Sequence, residues 1–267
     1  MVDESSLKPG EEGAHYPLNE QGSEEFQVGG VERTLPESEQ LAQLVSYIEA
    51  SYEDSPQYLA LLPDRITHAA MLMLGSAVDH QMPGVALTGD VSVEDAPLGQ
   101  LFTSSKAPVK GGVWVVSCYD GPADAREFSW RPEVAACAEQ AGARAYDVDD
   151  PADVAAAVHA ARQEGADVVA VWGTGASCAL LPAGADAYVL TFPTEATEAA
   201  GSAGAFAEAD AKVLLQRASD AAWEQPSVEG AEVKEYVSTG VIATPAQYRR
   251  KVLDAAEFLA GLAPAEG

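Results

Sequence analysis

The stretch Tyr188–Leu215, YVLTFPTEATEAAGSAGAFAEADAKVLL, places a short strand, a helix of very small residues and a second strand in immediate succession. The helical part puts Ala196, Ala199, Ala200, Ala203, Phe206 and Ala207 on one face, at steps of three and four. Such a face is nearly flat, so it fits close against a sheet or a neighbouring subunit. An Ala-rich core helix has the same pattern. The second strand is entered through Asp210–Lys212.

The same order of elements occurs earlier in the chain. LALLPDRITHAA matches YVLTFPTEATEAA, with Pro63, Thr67, Ala69 and Ala70 opposite Pro193, Thr197, Ala199 and Ala200. Further on, VWVVSCYDGPADAR meets EYVSTGVIATPAQYR, with Pro122, Ala123 and Arg126 opposite Pro245, Ala246 and Arg249. A period of this length is too long for a solenoid and suits tandem duplication of one α/β domain. The expected fold is therefore α/β (α+β), with two tandem similar domains. Each would be a small, mostly antiparallel sheet flanked by Ala-rich helices. The first domain would cover 45–142 and the second 145–262, after a flexible acidic extension over 1–38 that is rich in Glu, Gly, Ser and Pro.

Several elements are readable one at a time. Gly111–Pro122 contains a buried strand, and Ala166–Trp172 another. Asp150 with Pro151, and Thr244 with Pro245, mark helix starts, because a capping oxygen followed by proline suits the first turn. The closing helix carries Tyr248, Val252, Ala255, Leu259 and Leu262 as its apolar stripe. A helix is expected over 67–81 and a strand around Val85–Leu87. Residues 91–110 read as a loop broken by Pro97, Gly99 and Pro108. The window SEQLAQLVSYIEASY mixes helical and strand-like spacing.

Charge limits the partners. Fifteen Lys+Arg against 42 Asp+Glu give a net charge of -27, which repels phosphate backbones and anionic lipid heads. No nucleic acid and no membrane partner is expected, and the acidity suits a salt-adapted surface. The sequence starts without an apolar leader segment, and Cys118, Cys137 and Cys178 lack metal or redox spacing. Buried reduced thiols in a cytoplasmic protein are the expectation. No cofactor is implied.

On these residues the chain resembles bacterial microcompartment shell proteins. Their signature helix and strand are matched by Ala199-Ala200, Ala203, Ala207, Ala209-Asp210, Val213 and Leu215, with Glu208 where the family carries lysine. The arrangement is similar to the permuted tandem type, such as the ethanolamine-utilisation trimeric shell protein. The resemblance implies a structural protein and not an enzyme. It implies a homotrimer that forms a pseudohexameric tile, contacts other shell proteins, sits in a microcompartment shell and passes small metabolites through a pore. The loops 91–110 and 217–232 are then pore or gate candidates, with Asp95, Phe102, Lys106, Trp223 and Glu224.

The alternative is a salt-adapted α/β enzyme or small-ligand-binding protein that uses the Gly173–Cys178 loop. There Gly173, Gly175 and Ser177 come after a buried strand, where backbone N–H groups can cradle a ligand. Neither GxGxxG nor a P-loop is present. Ser177 or Cys178 as nucleophile would need a base, and His159 is near in sequence. Asp147, Asp149, Asp150 and Asp153 cluster at a strand-to-helix turn, as metal ligands or as a capped, solvated turn; no metal site is assigned.

Overall fold

The computed structural model describes residues 35–53, 56–75, 78, 85, 89–194 and 211–263. In chain order the helices are α1 (Glu37–Ser51), α2 (Pro56–Leu61), α3 (Thr67–Leu74), α4 (Ala123–Ala125), α5 (Arg131–Ala141), α6 (Val154–Gln163) and α7 (Pro245–Ala260). The strands are β1 (Val91–Ala96), β2 (Gly99–Ser104), β3 (Val113–Cys118), β4 (Arg144–Val148), β5 (Val168–Thr174), β6 (Ala187–Thr191), β7 (Lys212–Ala218) and β8 (Glu232–Tyr236).

These strands form one eight-stranded sheet in the order β1-β2-β4-β3-β5-β6-β7-β8. β2 runs antiparallel to both β1 and β4, and the pairings from β4 through β8 are parallel. Residue types explain the central strands. VWVVSC of β3 and AYVLT of β6 are buried throughout, as expected where both faces of a parallel sheet are covered by crossover helices. Side chains alternate between those faces. Ala170 and Trp172 of β5 join a core with Val134 and Cys137 of α5 and Val252, Ala255 and Leu259 of α7. Val169 and Val171 face the other way, onto Val154, Ala157, Val158 and Ala161 of α6. A third cluster ties α1 to the region after β8: Leu41, Leu44 and Ile48 pack with Leu62, Ile66, Met71 and Ile242.

The chain crosses from β3 to β4 on one side, then passes back over β3 to reach β5. In open α/β sheets such a reversal leaves a crevice at the carboxyl ends of the strands. That crevice places the site.

Two tandem domains are not supported. Strands from both expected intervals hydrogen-bond in a single sheet; β3 pairs with β5 from Val113↔Val168 to Cys118↔Gly173, across the expected boundary. The sheet is also mostly parallel. The matched Pro-Ala-x-x-Arg starts have a local cause: Pro122 precedes α4 and Pro245 opens α7, both after strands. Proline there costs no hydrogen bond and presets φ. The helix 196–207 that anchored the resemblance lies outside the described residues, as do most of 1–38 and most of Val85–Leu87.

Residues 91–110 form a hairpin where a loop was expected. Ala96 pairs with Gly99 around Pro97 and Leu98. β1 is an edge strand with four consecutive exposed residues, so it lacks the alternation that would reveal it. The ambiguous window after Pro36 is helix α1, and the expected helix from Thr67 ends at Leu74, with Gly75 at φ 66. Among the described residues no helix is long and apolar enough to cross a membrane.

Candidate functional site

A cavity of about 220 Å³ opens at the carboxyl ends of the strands. Its wall is built from the segments that leave those strands: Tyr119 and Asp120 after β3, Thr174 to Ala176 at the end of β5, Phe192 after β6, Trp223 after β7 and Ser238 after β8. Helix α2 and the π-helical turn after it supply Leu59, Leu62 and Pro63. From α7 come Tyr248 and Lys251, and from α5 comes Glu133.

The polar floor is the unusual part. Lys251 and Glu133 are 5% and 3% exposed, and Lys251 Nζ lies 2.8 Å from Glu133 Oε2. The Tyr248 hydroxyl donates to Glu133 Oε1 at 2.5 Å and lies 3.4 Å from Ser129 Oγ. Lys251 Nζ also sits 4.2 Å from the Tyr248 ring centroid and 5.4 Å from that of Phe192. Burial, and then the Glu133 charge, hold the Tyr248 phenol well above its ordinary pKa. It is therefore a neutral hydrogen-bond donor across the ordinary pH range.

A second network supports this floor from within the sheet. Trp172 Nε1 donates to Thr191 Oγ1, Thr191 donates to Gln216 Oε1, and Gln216 Nε2 donates to the Tyr236 hydroxyl and to Lys251 O. The Tyr236 hydroxyl donates to Asp254 Oδ2 at 2.7 Å. Burial first, then Asp254, raises its pKa. Phe192, on the wall, has φ 48, the one positive value outside glycine among the described residues. Backbone strain of this type collects at sites where the surroundings enforce it.

The expected ligand loop divides in two. Gly175, at φ 58, and Thr174 line the cavity. Gly173 lies near the end of β5, where an added Cβ would lie 3.1 Å from Leu181 and 3.2 Å from the Cys178 backbone. Ser177 is fully buried; its hydroxyl lies 2.6 Å from Thr174 O and 2.9 Å from Cys118 O, and accepts from Thr174 N. It holds the turn together. His159 lies on an exposed part of α6, with Nε2 2.9 Å from Gln163 Nε2, so it is no base for Ser177. Cys178 is buried, and burial raises its thiol pKa.

The pore candidates do not converge. Asp95 lies on edge strand β1, Phe102 is buried on β2 against α5, and Lys106 lies in a turn after β2. Trp223 does line the cavity, its Nε1 donating to Pro193 O at 3.0 Å. Its neighbour Glu224 is exposed. The aspartate cluster is structural: Asp147 accepts from Ser117, Trp130 and Arg131, Asp149 pairs with Arg126 and Arg131, and Asp150 caps the turn at Ala152 N.

Glu133, Tyr248 and Lys251 are not legible as a site in the sequence. Pairs on separate helices leave no mark in local spacing. One signal was available: a lysine directly beside Val252, at the edge of the α7 apolar stripe.

No family model and no curated protein matches the chain. Solved structures do. An arylesterase superposes with a TM-score of 0.50 at 12% identity, and a hormone-sensitive lipase from a metagenome library with 0.51 at 11%. In each case the match covers 85% of this chain and 99% of the other. These likenesses overturn the microcompartment resemblance, and with it the tile, the homotrimer, the pore, the shell partners and the shell location. The expectation that the chain is not an enzyme rested on that resemblance and falls with it. With one mixed sheet in the order β1-β2-β4-β3-β5-β6-β7-β8 and β2 antiparallel to its neighbours, the chain shares the fold of these esterase and lipase structures.

Proposed function

We propose that this chain takes a small organic molecule into the cavity at its strand ends and acts on it through neutral phenols and a buried ion pair, without a serine nucleophile. The observation that carries this is the Glu133–Lys251 pair with Tyr248 against it, almost fully buried yet lining an open cavity. Desolvating two charges costs several kcal/mol per ion before their attraction offsets it. Buried charge in a cleft is therefore a mark of function as well as of structure.

The elbow after β5 supports the serine-free part. In hydrolases of this fold the nucleophile sits at the centre of G-x-S-x-G, on a sharp strand-to-helix turn. Here the turn reads Gly173-Thr174-Gly175-Ala176-Ser177, with glycine at the centre in the left-handed conformation. The serine lies two residues further on and faces inward. Among the described residues the histidines are His68 and His159, both exposed on helices. No hydroxyl–imidazole pair is available among them to form and release an acyl-enzyme. What the cavity offers a bound molecule is a phenol donor, a carboxylate and an ammonium in a low-dielectric floor, suited to polarising a bound group or moving a proton.

The test has two arms. Saturation-transfer NMR with benzyl alcohol is expected to show contact with the wild-type protein and to lose it in Ala176→Trp, which fills the exposed rim of the cavity. Undiminished transfer in that variant places the ligand elsewhere. With p-nitrophenyl acetate no stoichiometric burst of nitrophenolate is expected; a burst of one equivalent overturns the serine-free chemistry.

A further inference from the structure

We infer that the ligand of this cavity is an organic cation, an ammonium ion carried on a small apolar or aromatic body; this rests on the cavity being the ligand site. The charge inventory of the lining decides the sign. Its ionisable carboxylates are Asp120 and Glu133, and its one basic side chain among the described residues is Lys251. Lys251 is already committed: Glu133 Oε2 lies 2.8 Å from its ammonium, and the rings of Tyr248 and Phe192 flank it. An anion entering the cavity would find no free cation among the described lining residues, and would meet Asp120 without a counter-charge.

A cation finds the opposite. Asp120 is exposed at the mouth and makes no ion pair among the described residues. The half-buried rings of Tyr119 and Trp223 present aromatic surface to the cavity. An ammonium over such faces gains electrostatic attraction from the ring quadrupole, most of all over tryptophan. Trp223 is held in place: its indole N–H donates to Pro193 O, and its six-membered ring packs on Gly240, where a Cβ would approach to 2.6 Å. Beyond the cavity, a net charge of -27 raises the local concentration of cations around the whole molecule.

Three charge states of one skeleton test this: benzylammonium, benzyl alcohol and benzoate, titrated at pH 7 and low ionic strength by calorimetry. Benzylammonium is expected to bind about tenfold more tightly than benzyl alcohol, with benzoate weakest. Asp120→Asn is expected to weaken benzylammonium by about two- to fivefold and to leave benzyl alcohol unchanged. Equal binding of alcohol and ammonium, or no binding of benzylammonium, overturns the cation assignment. If Ala176→Trp leaves all three unchanged, the cavity itself is the wrong site, a failure separable from the first.

Discussion

At the scale of single residues, the Glu133–Lys251 pair is a costly commitment, with both charges taken out of water. Both side chains are nearly water-free, so each charge depends on the other and on Tyr248. Replacing one partner leaves the other buried and uncompensated, whereas removing both leaves a neutral floor. Lys251→Met is expected to lower stability by about 3–5 kcal/mol, and Glu133→Gln combined with Lys251→Met to recover most of that loss. Urea unfolding of the two variants measures both. A single variant as stable as wild type would mean that the pair is not ionised in the folded protein. None of this was legible beforehand, because α5 and α7 meet only in the folded chain. Gly175 was legible as a glycine after a buried strand; that its backbone is left-handed, and that Ser177 turns inward to bond Cys118 O, was not.

Among elements, the β1–β2 hairpin shows how far close approach can outweigh conformation. An added Cβ at Gly99 would sit 1.9 Å from Asp147 O on the neighbouring strand β4, and Gly99 has φ 154. At Gly175, φ is 58 and nothing lies within 4 Å. Gly175→Ala therefore meets only the left-handed penalty, about 1 kcal/mol, while Gly99→Ala must also push β2 away from β4 and costs at least about 2 kcal/mol. Thermal melts of the two variants rank them, and a Gly99→Ala protein that melts with wild type would show that the hairpin shifts freely. The same hairpin went unread because its outer strand is exposed on both faces and its turn contains proline and glycine. Elements that bury every residue, β3 and β6, and helices opened by a cap and proline, α7 and the turn at Asp150, were readable from local pattern alone. The order of strands was not. Passing back over β3 to place β5 is a long-range choice, and without it a mixed sheet and two small repeated sheets share the same list of strands and helices.

For the whole molecule, acidity outside and neutral acids inside give two distinguishable dependences. The net charge of -27 is spread along the chain and opposes compaction through mutual repulsion, which added salt screens. Inside, burial pushes the Cys118 thiol up from 9.0 to about 12 and raises Cys137, Cys178, Tyr236 and Tyr248 as well. These groups are neutral when protonated, and the folded state holds their protons more tightly than the unfolded chain does. Their stabilising contribution is complete below the unfolded values, near 9.0 for the thiols and 10.0 for the phenols, and is lost as pH rises beyond them. Each group still protonated in the fold but ionised in the unfolded chain removes about 1.4 kcal/mol per pH unit. Stability is therefore expected to fall steeply from about pH 9 upward. Between about 0.05 M and 1 M KCl the melting temperature at pH 7 is expected to rise, while the steepness of the alkaline fall stays the same, because buried groups are screened far less than surface ones. Melting curves over both ranges separate the two causes. An alkaline fall that disappears in high salt would belong to the acidic surface, and the buried thiols and phenols would then have no part in it.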